Sequence, residues 1–381
     1  MSRFVLPQVA PGERSQHVLP GTDVVIESLP KVSLHDHLDG GVRPHTIVEI
    51  AARDTIDIPT TDARALGEWF RTQADSGSLP DYLETFSVTL SVMQTADNLE
   101  RIAGEFVDDL VADGVVYAEI RWAPELHGEL GLSLDDAVDS VQRGIDGGIA
   151  RAEKSGRPIR VGQLLCAMRQ ADRALDIAEL AIRHRQRGVV GFDVAGPEQG
   201  FPISRLSDAI DAIDAAWMPR TIHAGEADGL DSIEGALHDG RALRLGHGVR
   251  ITDDIAIDTS TGTSRVTLGP IAEWVRDRAV ALELCPTSNL QTNAFSRFGN
   301  DLADHPLDLL DQLGFAVTVN TDNRLMSGTT LSREIAVLAE VFGYTLDDIR
   351  EFQITAAGAA FIPADERVEL IAMLDERFDN A

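Results

Sequence analysis

The stretch Ser33-Leu34-His35-Asp36-His37-Leu38-Asp39-Gly40-Gly41 decides how the rest of this chain is read. If Lys31 to Leu38 runs as a strand, its side chains alternate between two faces. His35, His37 and Asp39 then share one face, and Val32, Leu34 and Leu38 take the other. Asp36 points away from the histidines and is read as structural. Two imidazoles and a carboxylate at a strand end look like half of a metal site. An isolated HxH is also what a solvated polar strand end looks like. The choice rests on whether further ligands follow at comparable strand ends.

Apolar β-type runs recur along the chain at Val32–Leu38, Val115–Trp122, Ile159–Ala167, Val189–Ala195, Thr221–Ala224, Leu243–Gly246, Val280–Leu284 and Ala316–Asn320. Several are almost continuously apolar, as strands buried on both faces should be. Helical stretches lie between them. One is expected to be capped by Asp97, to carry Leu99, Ile102, Phe106 and Leu110 on one face, and to stop at Gly114. Eight strands separated by helices predict an α/β fold, a (β/α)8 TIM barrel. It is expected as a single domain over 1–381, with the barrel core at about 29–360. A doubly wound open sheet is the alternative. It would usually carry a Gly-rich phosphate loop after its first strand, where this chain has His-Asp-His-Leu-Asp-Gly. The insertion from Arg43 to Asp113 exceeds a plain crossover, and its helical pieces Ala63–Ala74 and Tyr82–Met93 are expected to cover the barrel mouth as a lid. Thr252–Ser264 reads as a polar, mobile loop, and Thr345–Phe378 as C-terminal helices.

Composition narrows the partners. The chain has 381 residues, 44% of them hydrophobic, enough for a substantial core. No apolar run approaches a bilayer span, and Met1–Gly21 has no apolar signal-peptide region. Two cysteines, Cys166 and Cys285, make no disulfide framework and suit a reducing cytoplasm. With 62 acidic against 33 basic residues the net charge is −29, which repels polyanions. Nucleic acid and anionic membranes are therefore not expected as partners. A neutral small molecule fits better.

In a barrel, functional residues gather at the C-terminal ends of the strands. The first strand supplies His35, His37 and Asp39, and the fourth runs into Ala195-Gly196-Pro197-Glu198. The fifth ends in His223-Ala224-Gly225-Glu226 and the sixth in Gly246-His247-Gly248. The seventh leads into Cys285-Pro286-Thr287-Ser288-Asn289 and the eighth into Asn320-Thr321-Asp322-Asn323. Three histidines and an aspartate make a zinc-type ligand set, assigned to His35, His37, His223 and Asp322. A position left open to water makes such a site catalytic, because the ion lowers that water's pKa towards neutrality. Glu226 follows His223 across Gly225, where the chain has left strand geometry. A carboxyl beside a metal but not bound to it suits proton shuttling, and a dehydrated pocket favours its protonated form. His247, between two glycines, is read as orienting the attacking oxygen rather than as a fourth histidine ligand. Ser288 and Asn289 read equally as site residues or as turn chemistry. No lysine stands at these strand ends to bridge two ions, which argues for one metal. The nucleic-acid deaminase pattern, HxE with PCxxC, is absent.

In their order, these residues resemble the adenosine deaminase family of zinc-dependent purine deaminases. The resemblance rests on Pro30-Lys31 with His35-x-His37-Leu38-Asp39-Gly40, Ala195-Gly196-x-Glu198, His223-Ala224-Gly225-Glu226, Gly246-His247-Gly248, Cys285-Pro286-x-Ser288-Asn289 and Asn320-Thr321-Asp322. It implies one Zn2+ per chain on His35, His37, His223 and Asp322. It implies hydrolytic deamination of adenosine and 2′-deoxyadenosine to inosine, 2′-deoxyinosine and ammonia, as in purine salvage. Glu226 would protonate N1 and His247 would position the attacking oxygen. The Gly196 amide would meet N3, Asp39 would accept from a ribose hydroxyl, and His37 would also border the substrate. One departure is Asn323, where the family often has a second aspartate facing N7. An asparagine amide donates without needing to be protonated, so the change bears on substrate range rather than on the reaction. Adenine or a 5′-modified adenosine is the alternative substrate. Family members acting on the free base tend to carry glutamate in place of Asp39, so the resemblance favours the nucleoside.

Overall fold

In the computed structural model, which describes residues 6–258, 260 and 265–381, all eight expected strands form, each limit within one residue of its expected place. They are β1 (Lys31–His37), β2 (Val115–Trp122), β3 (Arg160–Met168), β4 (Val189–Ala195), β5 (Thr221–Ala224), β6 (Arg244–His247), β9 (Ala281–Leu284) and β10 (Val317–Val319). Between β6 and β9, β7 (Ile255–Asp258) and β8 (Arg265–Leu268) form an antiparallel hairpin outside the barrel.

The barrel strands pair in parallel as two four-stranded sheets, β1-β2-β3-β4 and β10-β9-β6-β5. Parallel bridges join the sheets at both edges, Phe192 with Arg220 between β4 and β5, and Asp36 with Asp322 between β1 and the residues after β10. The ring is closed, which excludes the open doubly wound alternative. A register shift lies between Ser33 and Asp36 on β1. There Asn320 Oδ1 accepts from the Leu34 and His35 amides, each at 3.1 Å. The irregular strand is thereby satisfied by the side chain that immediately precedes Thr321-Asp322.

The insertion folds as helices Pro44–Asp54, Ala63–Ala74, Leu79–Glu84, Phe86–Ser91 and Ala96–Ala112. The expected single piece Tyr82–Met93 is therefore broken at Thr85. The helix expected to start at Asp97 is capped by Thr95, whose hydroxyl accepts from the Asn98 amide at 3.3 Å. Asp97 sits in its first turn, where negative charge still complements the helix dipole. The expected mobile loop is largely a turn of helix through Asp254 and then β7. Its remainder, at 259 and 261–264, lies outside the described residues. Short surface strands such as Ile255–Asp258 bury one residue in four, so they carry almost no periodic signal. The chain finishes with helices Leu331–Phe342, Leu346–Ala359 and Ala364–Asp379. Among the described residues no helix is long and apolar enough to cross a membrane.

Apolar side chains fill the layer between strands and helices, but the barrel interior is ionic. Arg121 pairs with Asp193 at 2.9 Å and Glu283 at 2.7 Å, and Arg244 with Glu283 at 2.7 Å and Glu119 at 2.5 Å. All five side chains are buried. Charges survive there only because each has an opposite partner. This network lies under the strand ends that carry the histidines.

Candidate metal centre and active site

The expected ligands come from separate strand ends and converge. His35 and His37 come from β1, His223 from β5, His247 from β6, and Asp322 from the turn after β10. His37 Nε2 lies 3.2 Å from His223 Nε2 and 3.3 Å from Asp322 Oδ1. His35 Nε2, also 3.3 Å from Asp322 Oδ1, has no hydrogen-bond partner despite its burial. Nitrogen lone pairs crowded around a carboxylate oxygen, one of them orphaned, are what a cation site requires. One set of four, His35, His223, His247 and Asp322, has ligand atoms all within 4.8 Å of one another and can hold a metal ion. By distance alone, then, His247 competes with His37 for a place among the ligands. His247 and Asp322 have φ of 63° and 59°, a region uncommon for residues with side chains and often found where function constrains the backbone.

Behind the histidines stand two carboxylates that the sequence reading did not single out. Glu283 on β9 accepts from His35 Nδ1 at 2.9 Å, and Asp193 on β4 accepts from His223 Nδ1 at 3.2 Å. Each fixes a ring so that Nε2 faces the cluster. The signal available was an acid inside an otherwise apolar strand, as in Leu282-Glu283-Leu284 and Phe192-Asp193-Val194. A buried acid in such a run needs a buried partner. Against the cost of burial, Arg121 and Arg244 hold the Glu283 carboxyl well below its usual range. Burial, with the neighbouring Arg121 charge, pushes His37, His223 and His247 below the ordinary imidazole value, which favours the neutral rings.

Glu226 follows Gly225, whose φ of 73° turns the chain sharply out of β5. A Cβ on Gly225 would stand 2.6 Å from Ile233 Cδ1, so glycine is required. Glu198 holds this turn, accepting from the amides of Gly225, Glu226, Ala227 and Asp228. The Glu226 carboxyl lies 3.5 Å from His247 Nε2 and accepts from Thr292 at 3.0 Å. Burial, reinforced by the Asp322 and Glu198 charges, raises its pKa well above the ordinary glutamate value. A carboxyl biased towards its proton-bearing form is thus held beside the cluster.

A cavity of about 230 Å³ opens over these groups, lined by His37, Asp39, Gly196, Glu226, His247 and Asn323 among others. Asp39 lies beyond β1 in the turn, not on the strand itself. Its Oδ1 and that of Asn323 are buried without a hydrogen-bond partner. Gly40 must be glycine, because its Cβ would fall 2.0 Å from Asn323 Oδ1. Of the two expected lid pieces, only the second reaches the cavity, through Tyr82, Leu83, Phe86 and Leu90, joined by Leu79 just ahead of it. Helix Ala63–Ala74 packs instead on the short helix Arg324–Ser327. Ser288 donates to Asp322 at 2.6 Å, and Asn289 meets His247 at 3.0 Å, so both touch the site as well as shaping the turn. Asp36 pairs with Arg324 at 2.9 Å, the structural role expected of it.

Known proteins match along nearly the whole chain. The family model described as Adenosine deaminase matches residues 30–377. The protein named Adenosine deaminase 1 from Streptomyces coelicolor is 55% identical over 347 residues, covering 91% of this chain and 86% of its own. Adenosine deaminase from Mycobacteroides abscessus is 53% identical, covering 91% and 94%. Among solved structures, adenine deaminase from Arthrobacter aurescens superposes with a TM-score of 0.78 at 23% identity, over 93% of this chain and 100% of its own. An amidohydrolase from Burkholderia ambifaria, with bound Zn, gives 0.79 at 23%, over 97% of each. At that identity the structures support the barrel fold alone. With the family model and the close relatives in agreement over nearly the whole chain, the chain belongs to the adenosine deaminase family.

Proposed function

We propose that this chain catalyses zinc-dependent hydrolytic deamination of adenosine and 2′-deoxyadenosine, giving inosine or 2′-deoxyinosine and ammonia. The observation that carries this reading is one cavity in which the buried Glu226 carboxyl, its pKa raised by burial, faces the histidine–aspartate cluster. One Zn2+ per chain would be held by His35, His37, His223 and Asp322. Ligand atoms bound about 2.0–2.1 Å from one zinc stand roughly 3–3.5 Å from one another. The separations of 3.2 and 3.3 Å within this set support the assignment. When bound, the ion supplies a water activated for attack at neutral pH.

The chain's own groups do the rest. Attack at purine C6 breaks the ring's aromaticity, and a proton from Glu226 to N1 keeps the adduct from becoming an anion. His247 holds the attacking oxygen. The Gly196 main-chain N–H meets N3, and the Asn323 amide donates to N7. Asp39 Oδ1, buried without a partner, accepts from a ribose hydroxyl, while the His37 ring borders the substrate in the same cavity. Leu79, Leu83, Phe86 and Leu90 keep water from the base, which strengthens every polar contact inside. A neutral nucleoside enters a protein of net charge −29 without electrostatic penalty. A single domain over 1–381 carries the reaction. Two buried free cysteines accord with work in the cytoplasm.

Ammonia release from adenosine, adenine and a 5′-blocked adenosine tests the assignment, with inosine identified by chromatography. Rapid release from adenosine that is lost on 5′-blocking is the expected result. Turnover of adenine, or of the 5′-modified compound alone, would overturn the substrate while leaving the chemistry.

A further inference from the structure

The Nδ1 edge of His247 is connected differently from those of His35 and His223. The latter two face carboxylates, which at neutral pH only accept, so both rings keep the proton on Nδ1 and free Nε2. His247 Nδ1 faces the Asn289 amide nitrogen at 3.0 Å. The orientation of that amide is fixed from its other end. Asn289 Oδ1 accepts from the Cys285 main-chain N–H at 3.2 Å and lies 3.4 Å from His305 Nε2. His305 Nδ1 in turn accepts from the Leu307 main-chain N–H at 3.1 Å, which places the His305 proton on Nε2. Main-chain N–H groups only donate. Two of them therefore anchor a one-way sequence of hydrogen bonds from Leu307 through His305 and Asn289 to His247. All three side chains are buried, and the Phe295 ring packs edge-on against His305 at 4.7 Å.

We propose that Asn289 and His305 are positioning residues that lock His247 in its Nε2–H tautomer, making it a hydrogen-bond donor to the reacting oxygen and keeping it off the metal. Distance alone does not exclude His247 from the metal, since it belongs to the set whose ligand atoms converge. An Nε2 that carries a proton has no lone pair to coordinate with. The tautomer makes the distinction that spacing leaves open. Burial pushes His305 down to about 3, so it stays a neutral donor to Asn289 Oδ1, and the amide nitrogen that Asn289 turns to His247 Nδ1 sets where the His247 proton lies. The catalytic consequence rests on the role given to His247 under the proposed function.

Asn289→Asp tests this with nearly the same side-chain shape. The new carboxylate still accepts from Cys285 and His305, but at His247 it demands a donor and draws the proton to Nδ1. Histidine-selective 15N NMR reads the tautomer directly in the metal-free and the zinc-loaded protein, with the His247 signals assigned by their loss in His247→Gln. Wild type should show an unprotonated Nδ1 and a protonated Nε2, and N289D the reverse. In N289D kcat should fall by a factor on the order of 10³–10⁴, the scale of a catalytic histidine held in the wrong tautomer. KM should stay near wild type, and bound zinc should not decrease. Asn289→Ala, which removes the amide without replacing it, should show a mixture of tautomers and an intermediate kcat. A proton on Nδ1 in wild type, or an unchanged tautomer in N289D, would overturn the positioning role. A reversed tautomer with unchanged kcat would overturn the donor role of His247 instead.

Discussion

Replacing Asp39 with asparagine should make the metal-free protein more stable at alkaline pH and a poorer enzyme. The Asp39 carboxyl is buried, and one of its oxygens has no hydrogen-bond partner. Burial, opposed by main-chain amides and reinforced by Asp322, raises its pKa from 3.8 to about 7. A carboxyl whose folded pKa is raised favours the native state while it is protonated. That contribution is complete below the unfolded pKa and is lost as pH rises through the folded one. The span from 3.8 to about 7 gives a ceiling of roughly 4 kcal/mol at pH 8 and roughly 1.5 kcal/mol at pH 5. Relaxation and water entry bring real sites below such ceilings, to about 1–3 kcal/mol at pH 8. The amide keeps the shape of the carboxyl without its charge, so urea midpoints of chelator-treated D39N should exceed wild type clearly at pH 8 and only slightly at pH 5. A bound cation favours the ionised aspartate, so loading with zinc should narrow the gap. The same change removes a charged acceptor for the ribose hydroxyl. At about 1.5–3 kcal/mol for such a bond, kcat/KM for adenosine should fall roughly 10- to 150-fold. Equal midpoints at pH 8, or equal gains at both pH values, would refute the reasoning.

Glu226→Gln should lower kcat by about 10²–10⁴ with zinc content unchanged, as steady-state kinetics and metal analysis would show. In wild type the rate should decline as pH rises through the raised Glu226 pKa, because the proton-bearing form is lost; E226Q should lack that limb. Glu283→Gln should weaken zinc binding about 10- to 100-fold by freeing the His35 ring, measured by chelator competition, and should lower the unfolding temperature by leaving Arg121 and Arg244 under-compensated. Asn323→Asp should make inhibitor binding weaken with rising pH, because only a protonated carboxyl donates to N7. A pH-independent affinity in N323D would contradict the contact.

The strands were legible because parallel barrel strands buried on both faces leave runs of apolar residues, and the ligands were legible because a barrel places its chemistry at one end of those runs. What depended on three-dimensional pairing was not. The break at Thr85 and the β7–β8 hairpin carry little periodic signal. Glu283 and Asp193 left a readable trace as acids inside apolar strands, but nothing in one strand says which histidine on another it will meet. The contact from Asn289 to His247 links residues 42 apart in sequence. Spacing alone therefore left Asn289 undecided between turn and site, and the fold shows that it serves as both.

Zinc titration of chelator-stripped protein, followed by ammonia release from adenosine, tests the central claim most directly. The account predicts that activity is absent without metal and rises linearly to a break at one Zn2+ per chain, with inosine as the product. Full activity in metal-free protein, or a titration that fills the site without producing turnover, would contradict it.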